Sequence, residues 1–382
     1  MSLETLIEIS RYYGKNPDYV LAGGGNTSWK DSSNLYVKAS GTALASASAD
    51  SFVKMDRQAL AKIWDTQYPE SSAERESAVL ADMMAARAAG EEHKRPSVEA
   101  LLHDLQPFAF VVHLHPAMVN GLTCSQQGEA AMAGIFGSTA LWIPSCNPGY
   151  VLSKTVKTAM DRYKAKRGIE PAIIFLQNHG IFVSANDPGG IYALYAEIMQ
   201  KISSRIHKHP DLAADEDDAG SPEIERAISI TRKTLAELAG TAASTQSGFS
   251  EFMSGGAIGS IVADSASFAP VASAFTPDHI VYSGSDPLFT EARSADGIRE
   301  AWKSHTEKTG KPPKIVAVRG LGIFSAAATE KAAAQALVLF KDTIKVAAYA
   351  EFFGGPLFMA QNEIDFINNW EVERFRAAVS QG

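Results

Sequence analysis

The chain has 382 residues, 46% hydrophobic and 20% charged, an ordinary globular composition long enough for two domains. Its formal net charge of −8 shows none of the basic excess that nucleic-acid binding leaves. No stretch approaches the roughly 20 apolar residues of a membrane span, the N-terminus has no basic flank or long apolar run, and the two cysteines, Cys124 and Cys146, form no pairing motif; a cytoplasmic protein is expected.

In chain order, Leu3, Leu6, Ile7 and Tyr13 recur at helical spacing. Three glycines, Gly23–Gly25, then precede Asn26-Thr27-Ser28 and permit a sharp turn or close approach to a ligand. Leu35–Ala39 reads as a strand, followed by a turn at Ser40-Gly41-Thr42. Helices are expected over Glu74–Ala89 and, entered by Arg95-Pro96-Ser97, over Val98–Leu105. Phe108–Val112 is a buried-type strand that runs into His113-Leu114-His115-Pro116. Leu141–Pro144 and Ala172–Leu176 are further strands, and Gly190–His207 a long helix. The acidic run Asp215–Asp218 reads as a solvated loop, Glu223–Ala239 as a helix returning to the first unit, and Gly240–Gly248 as a linker. Beyond it come strands at Ile280–Tyr282 and Ile315–Val318, a helix at Glu330–Tyr349 and another near the C-terminus. Strands alternating with helices place the chain in the mixed α/β class, with domains at 1–240 and 249–382.

Pro171–Tyr195 and Pro313–Leu337 echo each other without a gap: proline, an apolar strand, a break, Gly-Ile-Phe, small residues, helix. His179 of the first stretch falls on Leu321 of the second. This predicts a degenerate repeat whose C-terminal copy is catalytically silent.

Three groups of residues carry candidate chemistry. His113 and His115, two apart in a strand, project from one face and can converge on one ion. His179 follows an apolar strand, precedes a glycine and supplies the third imidazole that a catalytic zinc needs. Gly25–Ser28, Ser40-Gly41-Thr42 and Pro96-Ser97 offer small hydroxyls and unobstructed backbone N–H groups for an anion, with no nucleotide-loop pattern among them. Glu99, in a first helical turn, is the candidate acid/base, with His103 one turn later on the same face.

In this order, Gly-Asn-Thr-Ser (25–28), Ala-Ser-Gly-Thr (39–42), Arg-Pro-Ser-Val-Glu (95–99), His-Leu-His-Pro (113–116) and Gln-Asn-His-Gly-Ile-Phe (177–182) resemble the class II aldolase/adducin family over roughly residues 1–205. Within it the chain most resembles the aldolase part of bifunctional rhamnulose-1-phosphate aldolase/alcohol dehydrogenase proteins. The dehydrogenase domain of those proteins is not expected here, and its activity is not carried over. The resemblance implies a three-layer α/β/α sandwich about a mostly antiparallel sheet, with a smaller C-terminal α/β domain, assembled as a homo-oligomer, commonly a tetramer. It implies Zn²⁺, or another divalent metal, on His113, His115 and His179, and Glu99 as the catalytic carboxylate. Asn26, Thr27, Ser40, Gly41 and Ser97 fall at substrate-phosphate positions. Val98 stands where relatives acting on fuculose phosphate carry a second serine. The implied reaction cleaves a ketose 1-phosphate to dihydroxyacetone phosphate and a short aldehyde. Epimerisation or decarboxylation of a sugar phosphate, and a non-catalytic adducin-like module, are the competing readings.

Overall fold

The computed structural model describes residues 2–212, 221–245 and 247–371. The acidic run Asp215–Asp218 lies outside them. Eleven strands among the described residues form two sheets. The first comprises β1 (Asn26–Lys30), β2 (Asn34–Lys38), β3 (Phe52–Asp56), β4 (Phe110–Leu114), β5 (Leu141–Ile143), β6 (Ile173–Leu176) and β7 (Gly180–Ala185), in the order β3-β2-β1-β4-β7-β6-β5. All its pairings are antiparallel except β5 with β6. The second comprises β8 (Phe252–Met253), β9 (Leu288–Thr290), β10 (Ile315–Val318) and β11 (Gly322–Ser325), in the order β8-β11-β10-β9.

Side-chain alternation along the strands builds the layers. Val111, Ile174 and Phe182 face one side of the first sheet, under helix Tyr150–Arg167 through Leu152, Val156 and Met160. Phe110, Val112, Phe175, Ile181 and Val183 face the other, under Tyr195, Ile198 and Ile202 of helix Pro188–Ser203. This is a helix–sheet–helix sandwich of the mixed α/β class. The same core continues into the second sheet through Ile315, Ala317 and Ile323 and through Phe340 and Ile344 of helix Glu330–Ala350.

The echo in the sequence is an echo in topology. The hairpin β6–β7 pairs Ile173 with Val183 and Leu176 with Gly180; β10–β11 pairs Ile315 with Ser325 and Val318 with Gly322, the same register. A parallel strand flanks each hairpin on one side and an antiparallel strand on the other. The helices entering β6 and β10 end at Gly168 and Gly310, both left-handed. The second sheet thus repeats β4-β7-β6-β5 of the first. His113 pairs with Phe182, and Phe252 with Phe324, so Phe252 stands at the place of His113, Ser254 at that of His115, and Leu321 at that of His179.

Two expectations are corrected. Ile280–Tyr282 is not a strand but the end of helix Pro277–Tyr282. The β-branched run suggested a strand, yet the Thr276 hydroxyl accepts the His279 N–H and Pro277 presets φ at the first helical position. Helix Pro222–Ala242 packs on the second sheet, not the first. Its Leu235 and Ala239 bury against Ile298, Trp302, Val316 and Phe324, the apolar face that the second sheet presents away from the shared core.

Candidate metal centre

β4 holds His113 in a fully buried place, with its ring stacked on Phe182 at 4.1 Å, and releases His115 just beyond the strand end. The β6–β7 turn carries His179. Asn178, at a positive φ of 55°, makes that turn, and its amide donates to the carbonyls of Phe275 and Leu357 at 3.1 and 2.8 Å. Both carbonyls lie beyond residue 249, so the later part of the chain anchors the turn. Gly180 follows because a β-carbon there would fall 2.5 Å from the His115 ring and 2.6 Å from the Leu114 carbonyl.

The three imidazoles converge. His113 Nε2 lies 2.9 Å from His115 Nε2 and 3.3 Å from His179 Nε2. Two nitrogens each roughly 2.0–2.1 Å from a tetrahedral ion stand roughly 3.3 Å apart, so the spacing suits one metal. The outer nitrogens are committed elsewhere: His113 Nδ1 donates to the Ile181 carbonyl at 3.0 Å, and His115 Nδ1 meets Asp278 Oδ2 at 2.6 Å. Those bonds fix the tautomer that turns each Nε2 lone pair to the centre. Burial pushes His179 down to about 3, against the opposing pull of Glu99, so its imidazole is neutral and ready to ligate.

Glu99 completes the group. Its Oε1 lies 3.4 Å from His113 Nε2 and 3.5 Å from His179 Nε2, is buried, and accepts no hydrogen bond among the described residues. A buried carboxylate oxygen without a donor is costly unless a cation satisfies it, and a metal between the three histidines would do so. Oε2 is held by the Asn26 amide at 2.6 Å. Asn26 in turn bonds His103 Nε2 through its carbonyl, and His103 Nδ1 meets Ser28 Oγ at 2.7 Å. Burial, with the charges of His113 and Lys30, pushes the His103 pKa well down. Because Asn26 gives its NH₂ to Glu99, its carbonyl faces His103, and the neutral imidazole donates to it from Nε2. Asn26 reaches this place because β1 pairs it with His113.

A cleft opens beside Glu99, lined by Ser40, Gly41, Ser97, Val98, His115 and His179 among others. The Ser97 hydroxyl accepts the Glu99 N–H at 3.2 Å. Asn26, Ser40, Gly41 and Ser97 are thus gathered as expected, but Thr27 is not. It alternates to the opposite face of β1, fully buried, with its hydroxyl 2.7 Å from Ser10 Oγ. Sequence reading missed two residues here. Lys38, buried at the end of β2, lines the cleft with its ammonium 3.3 Å from the Gly23 carbonyl; a lysine abutting Ser-Gly-Thr was the available signal. Asp278 had no signal, since 163 residues separate it from His115.

Residues 4–202 match the model of the class II aldolase and adducin N-terminal domain. An uncharacterized oxidoreductase, YuxG, of Bacillus subtilis (strain 168) is 22% identical over 428 residues, which take in 99% of this chain; the chain spans 58% of that relative's length. The N-terminal class II aldolase domain of a conserved protein from Thermoplasma acidophilum is 26% identical, with a TM-score of 0.45, over 53% of this chain and 93% of that one. An L-fuculose 1-phosphate aldolase is 16% identical, with a TM-score of 0.37, over 53% and 85%. With just over half its residues matched by that family model, the chain belongs to the class II aldolase and adducin family.

Proposed function

We propose that the protein is a zinc-dependent aldolase that cleaves a ketose 1-phosphate to dihydroxyacetone phosphate and a short aldehyde. One observation carries the reading: the unpartnered Glu99 Oε1 faces three convergent imidazole nitrogens at the mouth of a cleft. A non-catalytic module has no use for that arrangement. When bound, a divalent ion supplies Lewis-acid polarisation of the substrate's carbonyl and hydroxyl oxygens. His113, His115 and His179 would hold it. Glu99 then moves the proton: in cleavage it takes up the proton that the hydroxyl at the breaking bond releases and delivers it to the carbon that has lost its partner, and in condensation the two transfers run in reverse. Asn26 restrains Oε2, so Oε1 is the oxygen that exchanges the proton. Ser40, Gly41 and Ser97 line the end of the cleft that receives the phosphate, and Lys38 adds a positive charge where Val98 offers no hydroxyl.

The test is release of dihydroxyacetone phosphate from ketose 1-phosphates by zinc-loaded protein, with aldehyde measured in parallel. Equimolar products, lost in Glu99→Gln, support the reading. Isomerised sugar phosphate with no free aldehyde would reassign the same residues to an epimerase, and no turnover with bound zinc would reject the aldolase.

A further inference from the structure

Away from the histidines, the second sheet carries a cavity of about 310 Å³. Its walls come from four helices and the loop before β10: Ala239, Ala242 and Ala243, Val281 and Tyr282, Trp302, Ala332 and Gln335, and Lys311–Lys314. Protein interiors close-pack to few voids larger than water. Here a row of alanines, continued by Ala326–Ala328, keeps the space open at the low end of the roughly 300–1,000 Å³ typical of small-molecule sites.

Lys314 gives the cavity a polar point. Its ammonium donates to the carbonyl of Val281, another lining residue, at 2.6 Å, and no carboxylate pairs with it among the described residues. An ammonium has three donors, and that bond uses one. Burial, then the charge of Lys311, pushes its pKa down to about 8, so it remains mostly protonated at neutral pH. The matching position of the first copy is Ala172, so the lysine belongs to the second copy alone. A cation facing apolar walls calls for an anion with an apolar body. Phosphate fits poorly, because the lining offers no cluster of hydroxyls or open backbone N–H groups of the kind phosphate needs.

One wall leads to the metal centre. Helix Pro277–Tyr282 gives Val281 and Tyr282 to the cavity, while its Asp278 holds His115 and its Pro277 lines the cleft. The Tyr282 hydroxyl accepts the Gly23 N–H at 3.3 Å, at the glycines bordering that cleft. His279 Nε2 clamps the same helix to Asp342 at 3.0 Å. We infer that the cavity binds a small carboxylate with an apolar body at Lys314, and that helix Pro277–Tyr282 relays its occupancy to the metal centre. The binding site stands on the cavity alone; the relay rests on the metal reading above.

Benzoate is the probe and benzamide its uncharged control, titrated calorimetrically into the full chain. Benzoate is expected to saturate with a Kd of about 1 mM or tighter, and benzamide to bind at least tenfold more weakly. Lys314→Met and Ala328→Phe, which removes the charge or fills the space, should each abolish binding while far-UV circular dichroism stays unchanged. Should Lys314→Met fail to fold, Ala328→Phe alone decides. Metal-free His179→Ala should bind benzoate as the metal-free parent does, which separates this cavity from direct ligation of the metal. Absence of saturable binding, equal binding of benzamide, unchanged binding in the foldable variants, or loss only in His179→Ala overturns the site. For the relay, saturating benzoate should change zinc affinity about fivefold or more. Equal zinc affinity with and without benzoate overturns it.

Discussion

His115 and Asp278 meet at 2.6 Å, imidazole Nδ1 against carboxylate, although they belong to different sheets' units. The bond orients a ring that would otherwise swing freely beyond the end of β4. Asp278→Asn keeps the shape and removes the charge. Zinc affinity is expected to fall about 10–100-fold, read by competition with a chromophoric chelator, with the fold intact by circular dichroism. Unchanged affinity would reduce Asp278 to a packing role.

Glu99→Gln should bind zinc and still lose turnover by a factor of about 10² to 10⁴. Asn26→Ala removes the donor on Oε2 without touching the ligands, so it should lower kcat with little change in bound zinc. Elemental analysis alongside initial rates checks both. Parental turnover in Glu99→Gln would remove it from the mechanism.

Gly180→Ala places a methyl 2.5 Å from the His115 ring and 2.6 Å from a backbone carbonyl. Neither can retreat, because the ring is tied to Asp278 and the carbonyl belongs to β4. A loss of about 1–3 kcal/mol in unfolding free energy is expected in denaturant titrations, together with weaker zinc binding. Gly134→Ala, where a β-carbon meets nothing within 4 Å, is the control that should lose neither.

Lys38→Met should raise KM for phosphorylated ketoses more than for the free sugars, since only the former carry the anion its charge attracts. Equal effects on both substrates would place Lys38 in the structure of the glycine loop, whose Gly23 carbonyl it also bonds.

Lys30 is buried, donates to the His103 carbonyl at 2.6 Å, and is pushed down to about 7 by that burial. In the unfolded chain its pKa is near 10.4. Between these values the unfolded state binds a proton that the native state does not, so native stability from this group rises as pH rises from about 7 to about 10. The parent should therefore gain on Lys30→Met across this window, with a slope of at most about 1.4 kcal/mol per pH unit. A flat difference between the two unfolding curves counts against a buried, titrating Lys30.

Much of the site was legible because its parts are local. Histidines two apart in a strand share a face, and the glycine after His179 marks a backbone that must pass close to another group. Thr27 was misplaced for a reason that is also local: Gly25–Ser28 was taken whole as a piece of the anion site, whereas Asn26-Thr27-Ser28 opens β1, where Asn26 and Ser28 take one face and Thr27 the other. The His103–Asn26–Glu99 chain joins residues on a helix and a strand that are neighbours only because β1 pairs with β4.

The sequence by itself determined the family, the alternation that layers the first sheet, the three candidate imidazoles, and the echo between the two hairpins, since each is a pattern in side-chain type along a few residues. Tertiary structure alone decided that the second unit takes part in the candidate metal centre. Asp278 steadies His115, and Asn178 ties the His179 turn to the carbonyls of Phe275 and Leu357. These are single hydrogen bonds between segments remote in the chain. They depend on how two sheets pack across one shared core, and a bond of that kind leaves no periodicity for a sequence to display.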